Sequence, residues 1–372
     1  MTARPDTNDY RAIFLAGSPI MDMRAPTEFA QGAFPNATSL PLMSDEERAQ
    51  VGTRYKQQGQ QAAIELGHQL VAGQIKDQRL AAWADFANTH SKGYLYCFRG
   101  GLRSRTVQQW LLGEGIDYPL IEGGYKAMRR FLIDELERSV KAANFVLISG
   151  KTGTGKTRVV WELERAVDLE GRANHRGSTF GQLPQPQPSQ IDFENTISID
   201  LLRMLEGDSS DIYLEDEGRL IGRLYVPDVL REQMEQAPMA VVEQSMDERV
   251  DVVIADYVVD LGQRYAQLHG EQGPALHAQK LQDDLSRVKK RLGGERHQMV
   301  SGIMAAAFQE QQRSGDLVGH REWIAFLLEK YYDPMYEYQL DQRKGRQIFH
   351  GSREQVLDWA KTRTITRAQA GG

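Results

Sequence analysis

The sequence of 372 residues predicts an α/β protein that ends in a helical region, and three patterns indicate this fold class. Short apolar runs alternate with helix-like stretches over residues 10–140, as in a mainly parallel sheet covered by helices. A second alternation of this kind begins at the apolar run of residues 144–150. From residue 275 onward the periodicity is helical throughout. We therefore predict three consecutive domains, residues 1–140, 141–274 and 275–372.

The composition excludes several classes of protein. Charged residues make up 26% and hydrophobic residues 41%, as in ordinary globular proteins. No apolar run reaches the roughly 18 residues of a membrane span, and the N-terminal segment lacks a signal-peptide core. The single cysteine, Cys97, excludes an internal disulfide framework and fits a reducing compartment. We expect a cytoplasmic protein that does not enter a membrane.

Within the first predicted domain, apolar spacing indicates the individual elements. A short helix is predicted from residue 26, and helical periodicity extends over residues 62–72 and 80–88. Residues 93–97 (GYLYC) have the composition of a short strand, and residues 103–112 follow as a helix with one apolar side. The strand therefore ends at the only cysteine of the chain.

The segment CFRGGLRS, which begins at Cys97, has the pattern of a reactive cysteine site. In a glycine turn between a strand and a helix, successive backbone N–H groups can point at one sulfur or anion. The helix N-terminus and nearby arginines add positive potential, which favours the nucleophilic thiolate. The alternative for a lone cysteine is a small buried core residue. We predict that Cys97 is catalytic. The residues predicted to cradle and activate it are Arg99, Gly100, Gly101, Arg103, Ser104 and Arg105.

A second site is predicted from GKTGTGKT, which fits the pattern G-x-x-x-x-G-K-[ST] between a predicted strand and a predicted helix over residues 156–167. Glycines let backbone N–H groups surround a phosphate, and Lys156 neutralises its oxygens. The Thr157 hydroxyl is a candidate ligand of Mg²⁺. The pattern leaves open which phosphate ester binds. The predicted phosphate-binding residues are Gly150, Gly153, Gly155, Lys156 and Thr157.

Downstream of this loop, strands are predicted over residues 211–214 and 239–243, and a helix over residues 250–259. Residues 171–195 lack periodicity and contain LPQPQPSQ. A structureless connection of this length is either functional or disordered. We interpret it as functional, because it carries His175, Arg176 and Ser178 as candidate substrate contacts.

Three further residues are candidates for contacts with substrate. Glu215 and Asp216 lie in DIYLEDE, where an acidic metal ligand follows the strand of a phosphate-binding domain, although a solvated acidic turn has the same composition. Gly67 interrupts an apolar helical pattern, where glycine costs about 1 kcal/mol relative to alanine. The absence of a side chain at Gly67 allows a substrate or another helix to approach closely. Close packing against another helix is the favoured reason for glycine at this position.

The C-terminal third is predicted to contain helices over residues 281–294, 298–311 and 320–340. Beyond residue 274 the chain has 16 Lys+Arg and 12 Asp+Glu, a balance of +4 against −10 before it. This asymmetry fits a surface that faces RNA, although a solvated helical bundle has the same charge. The tyrosines of YYDPMYEYQL are candidates for stacking on bases or for core packing. The basic clusters are Lys289, Lys290 and Arg291, and Arg343, Lys344 and Arg346.

The first predicted domain resembles a rhodanese domain. PIMDMRAPTEFAQGAFPNATSLPL is similar to the opening of such a domain, and CFRGGLRS to its active-site loop. The resemblance implies a cysteine that carries sulfur or selenium as a persulfide or perselenide. Common rhodanese loops read C-x-x-G-x-x-S, and this loop has one residue more. The longer loop implies a wider cradle and argues against simple thiosulfate sulfurtransferase activity.

The order of motifs over most of the chain resembles the tRNA 2-selenouridine synthase family. The motifs are CFRGGLRS, GKTGTGKT, ANHRGSTFG, QPSQIDFEN, LEDEGRLIG and YYDPMY. The resemblance implies a transferase that converts wobble 2-thiouridine to 2-selenouridine through S-geranyl-2-thiouridine. It implies geranyl diphosphate and selenophosphate as substrates, no tightly bound cofactor, and as partners a tRNA with a 2-thiouridine wobble base and a supplier of selenophosphate.

The resemblance leaves two roles of Cys97 open, attack on the uridine C2 and carriage of selenium. It also leaves open whether the phosphate loop takes geranyl diphosphate, selenophosphate or a nucleotide, and geranyl diphosphate is the favoured ligand. One alternative function is a rhodanese-type sulfur relay coupled to a P-loop ATPase. Another is an RNA-binding module without activity, against which Cys97 and its arginines argue.

Overall fold

The computed structural model of the chain describes residues 4–370 and separates them into two compact units. The first unit contains the residues up to Ser139 together with Ser189–Arg203. The second contains Val140–Pro188 and the residues from Met204 onward. These units differ from the three predicted consecutive domains. Most of one helix from the predicted second domain belongs to the first unit, and the C-terminal helices share the second unit with the glycine-rich loop.

The first unit contains a three-stranded parallel sheet and its helices. In chain order the elements are α1 (Tyr10–Ala16), β1 (Ile20–Asp22), α2 (Pro26–Ala30), β2 (Ala37–Ser39), α3 (Asp45–Leu70), α4 (Gly73–Thr89), β3 (Tyr94–Tyr96), α5 (Leu102–Gly113) and α6 (Gly124–Ala142). The strand order is β2-β1-β3, and Met21 of β1 pairs with Thr38 and Leu95. The predicted α/β class, the strand before Cys97 and the helix after it are confirmed.

A buried apolar core holds the cysteine strand in place. Met21 of β1 and Leu95 of β3 pack with Trp83 of α4 and with Val107 and Leu111 of α5, all at most 1% exposed. The helical periodicity predicted over residues 62–72 falls on the part of α3 that follows a kink at Gly59, and that over residues 80–88 falls on the C-terminal part of α4. Because α5 is anchored by this core, the N-terminus of the helix is fixed directly after the cysteine loop.

Helix α9 (Gln190–Met204) corrects the predicted loop of residues 171–195. The loop ends at residue 189, because Ser189 and Asp192 exchange N-cap hydrogen bonds at the start of the helix. Ile199 and Leu202 of this helix pack in the first unit with Phe14 and Met128. The helix therefore packs in the core of the first unit, although the segments before and after it in the sequence belong to the second unit.

The second unit is built on a five-stranded parallel sheet. In chain order its elements are β4 (Phe145–Gly150), α7 (Lys156–Trp161), β5 (Ala166–Val167), α8 (Leu169–Arg172), β6 (Ile212–Glu215), β7 (Leu220–Ile221), β8 (Leu224–Tyr225), α10 (Asp228–Met234), β9 (Met239–Val242), α11 (Met246–Val253), a π-helix (Ile254–Asp260), α12 (Leu261–His269), a 3₁₀ turn (Gly270–Gln272), α13 (Gly273–Leu292), α14 (Gly294–Ser314), α15 (Val318–Leu327), a second π-helix (Leu328–Tyr332), α16 (Asp333–Gln342), a 3₁₀ turn (Lys344–Arg346), β10 (Gln347–Gly351) and α17 (Arg353–Ala370). The strand order is β10-β9-β4-β6-β5.

The predicted helix over residues 156–167 is too long. Helix α7 ends at Trp161, and residues 166–167 form an edge strand beside β6. Tertiary hydrogen bonds impose this end: Arg165 donates to the carbonyls of Met204 and Ser210, and its own carbonyl accepts from Tyr213 N. Local helix periodicity carries no information about these distant partners.

The C-terminal segment completes the sheet. Strand β10 pairs with β9, and Val356 and Ala360 of α17 pack on the sheet core with Val146 and Ile148. Strand β10 alternates between half-buried and exposed residues over five positions, a pattern too short and polar to predict a strand. The predicted helical region is therefore not independent of the phosphate-loop unit.

The C-terminal helices enclose a separate apolar cluster. It includes Leu281 and Leu285 of α13, Met304 of α14, and Trp323 and Ile324 of α15. The helix predicted over residues 250–259 is present but continues as the first π-helix. Over residues 4–370, each helix is too short or too polar to cross a membrane.

Candidate functional site

Cys97 lies at the end of β3, immediately before the loop that leads into α5. It is 3% exposed, and its Sγ lies 3.2 Å from Ser104 Oγ. The Ser104 hydroxyl also lies within hydrogen-bond distance of Gly101 O, at 3.0 Å. The predicted cradle thus places one hydroxyl directly against the sulfur.

A glycine pair missed by the sequence analysis supports this loop. Tyr125 N donates to Cys97 O at 2.9 Å, which brings Gly123 and Gly124 under the loop. A Cβ at Gly100, where φ is +61°, would lie 2.7 Å from Gly123 N. The two backbone segments approach so closely only because both carry glycine. The GG doublet before a helical pattern was the available signal.

The three predicted activating arginines differ in their surroundings. Arg99 and Arg105 are exposed, whereas Arg103 donates to Glu28, with 2.7 Å between Nη1 and Oε2. Burial alone would raise the pKa of Glu28, but the hydrogen bond and charge of Arg103 outweigh it and the pKa is lowered. Arg103 therefore has a carboxylate partner. Glu28 was not among the residues predicted for this site.

A buried polar cluster fixes the strand ends beside Cys97. Arg24 Nη2 lies 2.7 Å from Asp22 Oδ2, and Tyr96 OH donates to the same carboxylate. The Arg24 guanidinium lies 3.8 Å from the centre of the Tyr125 ring. Asp22, Arg24 and Tyr96 are at most 1% exposed, so the charges compensate each other inside the unit.

Gly67 lines an apolar groove of about 640 Å³ between α3 and α5. A Cβ at Gly67 would lie 3.9 Å from Val51 Cγ2, an ordinary contact. Helix packing therefore does not require glycine there, contrary to the favoured cause, and the absent side chain widens the groove. Leu102 and Trp110 of α5 line its other side.

The predicted phosphate loop connects β4 to α7. Gly153 and Gly155 have φ of +82° and +78°, a backbone region that favours glycine. Lys156 Nζ donates to Gly150 O at 3.1 Å and lies 5.6 Å from the centre of the Tyr336 ring. Burial alone would lower the pKa of Lys156, but Tyr336 and neighbouring carboxylates raise it, so the lysine is charged.

Three glutamates surround the loop, and of these only Glu215 is a predicted substrate contact. Thr157 Oγ1 lies 3.4 Å from Glu170 Oε2, and Glu170 N donates to Glu215 Oε2 at 2.9 Å. Glu215 is 1% exposed, and its Oε1 has no hydrogen-bond partner. Burial and mutual repulsion raise the pKa of Glu170 and Glu215 well above the usual range and that of Glu217 to about 7.

Asp216, a predicted substrate contact, has partners within the protein. Its carboxylate accepts from Ser149 Oγ and from Arg343 Nη1, the latter at 2.8 Å. It therefore links β4 to the segment after α16. Over residues 4–370, no His, Cys, Asp and Glu side chains are already arranged in a group of three or more that could hold a metal ion.

The loop residues His175, Arg176 and Ser178 line the same pocket as the phosphate loop, a cavity of about 320 Å³. Burial, with a smaller effect of Lys280, lowers the pKa of His175 to about 4, so this histidine is neutral. Ser178 Oγ lies 2.9 Å from Tyr257 OH. The structure thus brings the three candidates together with Lys156, as the functional interpretation of this loop requires.

The C-terminal candidates separate into buried and exposed groups. Arg346 donates to the carbonyls of Met234 and Ala237, so it serves the fold. Tyr332 is buried and Tyr336 lines the phosphate pocket, whereas Tyr338 is 69% exposed. The residues that face solvent are Lys289, Lys290, Arg291 and Lys344.

A strand, a glycine-rich loop and Lys156 at the start of a helix define the second unit as a P-loop domain on a parallel sheet. A family model described as tRNA 2-selenouridine synthase AAA domain matches residues 143–367. The chain belongs to the tRNA 2-selenouridine synthase family.

Full-length relatives agree with this assignment. The tRNA 2-selenouridine synthase of Marinobacter nauticus is 52% identical, over 98% of this chain and 100% of its own. The protein of the same name from Pseudomonas fluorescens strain Pf-5 is 54% identical, over 96% of this chain and 99% of its own. The protein of the same name from Pseudomonas syringae pv. syringae is 52% identical, over 97% of this chain and 99% of its own length.

Proposed function

We propose that this chain converts wobble 2-thiouridine of tRNA to 2-selenouridine through S-geranyl-2-thiouridine, with geranyl diphosphate and selenophosphate as donors. The observation that carries the proposal is the combination of a shielded cysteine on a glycine loop with a P-loop pocket in one chain. Relatives named tRNA 2-selenouridine synthases support the product. The protein acts as a soluble cytoplasmic transferase on tRNA, and another enzyme supplies its selenophosphate.

In the first reaction, the thiocarbonyl sulfur of the tRNA attacks C1 of geranyl diphosphate, the carbon–oxygen bond to diphosphate breaks, and the proton on N3 of the uridine is released to water. Backbone N–H groups of the P-loop and the charged Lys156 stabilise the negative charge that develops on the leaving group. Thr157 and Glu215 are the residues that would hold Mg²⁺, since Glu215 Oε1 is buried without a partner. Mg²⁺ would neutralise diphosphate charge when bound.

In the second reaction, we assign Cys97 as the nucleophile at C2. Its thiolate adds to C2, the bond from C2 to the geranylthio group breaks, and that group leaves as a thiol after taking up a proton. Selenium of selenophosphate then attacks C2 and expels the Cys97 thiolate, and hydrolysis of the phosphorus–selenium bond releases phosphate. The carrier role is disfavoured, because a sulfur–selenium bond formed from a thiolate and selenophosphate needs an oxidant.

The apolar groove beside α5 supports a geranylated intermediate. It is lined by Ile64, Gly67 and Trp110, and by Leu102, which follows the cysteine loop. Burial of one methylene group contributes about 0.8 kcal/mol, so a ten-carbon chain gains substantial affinity from such a surface. The tRNA itself is proposed to contact the exposed residues Lys289, Lys290 and Arg291 at the end of α13.

Mass spectrometry of tRNA nucleosides tests this function. A strain that lacks the gene is grown with selenite and complemented with wild type, Cys97→Ser or Lys156→Ala. We expect 2-selenouridine from wild type, S-geranyl-2-thiouridine from Cys97→Ser, and unmodified 2-thiouridine from Lys156→Ala. Normal 2-selenouridine in either variant would contradict the assignment. ATP turnover stimulated by a sulfur acceptor, without geranylated nucleoside, would instead favour a sulfur relay coupled to an ATPase.

A further inference from the structure

Three arginines from three elements converge in the P-loop pocket. Arg158 belongs to α7, Arg176 to the loop before α9, and Arg264 to α12, and all three line the cavity that contains Lys156 and Thr157. Convergence of guanidinium groups from separate elements is the usual construction of a phosphate site. Arg176 is a predicted substrate contact, whereas Arg158 and Arg264 have no role in the proposed function.

Two aspartates of the first π-helix position these arginines. Asp256 Oδ1 lies 3.3 Å from Arg158 Nη2 and 3.5 Å from Arg176 Nη1. Asp260 Oδ2 accepts from Arg176 and, at 2.7 Å, from Arg264 Nε. A π-helix is rare and is found frequently at functional sites, where it redirects side chains.

Within this set of arginines and aspartates, positive charge is in excess. Two carboxylates serve three guanidinium groups, and both contacts of Asp256 are longer than a normal charge-assisted hydrogen bond. Each guanidinium has five N–H donors, so these pairs leave donors for another anion. The side chains of Arg158, Arg176 and Arg264 are 34%, 19% and 39% exposed, which keeps them accessible to a ligand.

The remaining carboxylates of the pocket have other partners. Asp168 accepts from Trp161 Nε1 and Gly171 N. Glu170 and Glu217 raise the pKa of Lys156 and therefore act on the P-loop lysine. The hydroxyls of Ser178 and Tyr257 lie beside Arg176, whose guanidinium is 5.5 Å from the centre of the Tyr257 ring. The part of the pocket that the three arginines line thus presents hydrogen-bond donors to a ligand.

We propose that Arg158, Arg176 and Arg264 form a second phosphate subsite, which receives one phosphoryl group while the P-loop holds the adjacent one. This inference rests on the proposed function of the P-loop as a phosphate site. The subsite selects ligands with two linked phosphoryl groups over monophosphates. Such ligands include a prenyl diphosphate and a nucleotide.

Calorimetric titration with pyrophosphate and orthophosphate tests the subsite. Wild type is expected to bind pyrophosphate more tightly than orthophosphate. Arg264→Gln and Arg176→Gln should weaken pyrophosphate binding about tenfold or more, the effect of a lost charge-assisted hydrogen bond, and leave orthophosphate binding unchanged. Lys156→Ala should weaken both. Arg313→Gln is the matched control, since Arg313 also pairs with a carboxylate but lies on the exposed face of α14.

Equal effects of Arg264→Gln on both anions, or an effect on neither, would overturn the subsite while P-loop binding stands. Absence of binding of either anion to folded wild type would instead overturn the P-loop assignment. Titration with geranyl diphosphate and with ATP then identifies the source of the phosphoryl pair. Circular dichroism and thermal unfolding of each variant separate lost binding from lost folding.

Discussion

Gly124 lies directly beneath Cys97, and a Cβ at Gly124 would fall 2.1 Å from the Cys97 carbonyl oxygen. The φ of Gly124 is +58°, so steric contact and backbone conformation both require glycine. The conformation of the cysteine loop therefore depends on a residue 27 positions away in the sequence.

The variant Gly124→Ala is expected to displace this loop. The left-handed conformation alone costs an L-residue about 1–2 kcal/mol, and the contact with Cys97 O adds to it. We expect a lower free energy of unfolding in denaturant titrations and slower alkylation of Cys97 by iodoacetamide. Gly101→Ala is the control, since a Cβ there meets no atom within 4 Å. Equal effects of the two substitutions would disprove the close-contact explanation.

Tyr96→Phe is expected to destabilise the first unit. The substitution removes the O–H that donates to Asp22 Oδ2, so this buried carboxylate loses one of its hydrogen bonds and keeps those from Arg24. The loss of unfolding free energy should be about 1.5–3 kcal/mol, as for a hydrogen bond to a charged group. Thermal unfolding measures it, with Tyr55→Phe as control because Tyr55 is 57% exposed. An unchanged melting temperature would show that Asp22 and Arg24 suffice.

The C-terminal helices should lose stability in acid. Burial lowers the pKa of His320 to about 4, and His277 contributes to this shift. Neutral His320 accepts from Trp323 Nε1 at 3.0 Å through Nδ1, and protonation of Nδ1 breaks this bond. Below its ordinary pKa of 6.5 the unfolded state binds more protons than the folded state. Unfolding free energy should therefore fall from pH 6.5 towards pH 4.

Tryptophan fluorescence during urea unfolding at several pH values checks this dependence. The slope contributed by one such histidine is at most about 1.4 kcal/mol per pH unit. His320→Gln should flatten the dependence in this range relative to wild type. His350→Gln is the control, because His350 is exposed on β10. A slope that survives His320→Gln unchanged would assign the acid sensitivity to other groups, His277 among them.

Combined replacement of Lys289, Lys290 and Arg291 by alanine should weaken tRNA binding. Each lost phosphate contact lowers the slope of log affinity against log salt by up to about 0.9. We expect a slope reduced by about 1–3, measured by filter binding, with unchanged alkylation of Cys97. Arg130→Ala controls for general charge, since Arg130 is 72% exposed on α6. An unchanged slope would place the RNA elsewhere.

Truncation at residue 274 does not test the same surface. It would remove β10 from the sheet and α17 from the core that contains Val146 and Ile148. The P-loop unit would then lose stability together with any RNA contact. Point substitutions on exposed side chains avoid this ambiguity.

The sequence by itself determined the features that depend on neighbouring residues. A cysteine after a strand, two glycine-rich loops and the threonine after Lys156 are local patterns, and each specifies its own backbone conformation. Helix and strand periodicity identified the α/β class for the same reason. The order of these patterns along the chain was enough to indicate the family, which full-length relatives confirm.

Only the tertiary structure decided which distant residues complete each site. Glu170 and Glu217 reach the P-loop from separate segments, and Glu28 reaches Arg103 from another helix. The end of α7, the membership of α9 and the final strand β10 depend on hydrogen bonds and cores formed far along the sequence. Burial is also the largest cause of the raised pKa of Glu170 and Glu217, and burial is a property of the packed chain that residue spacing does not contain.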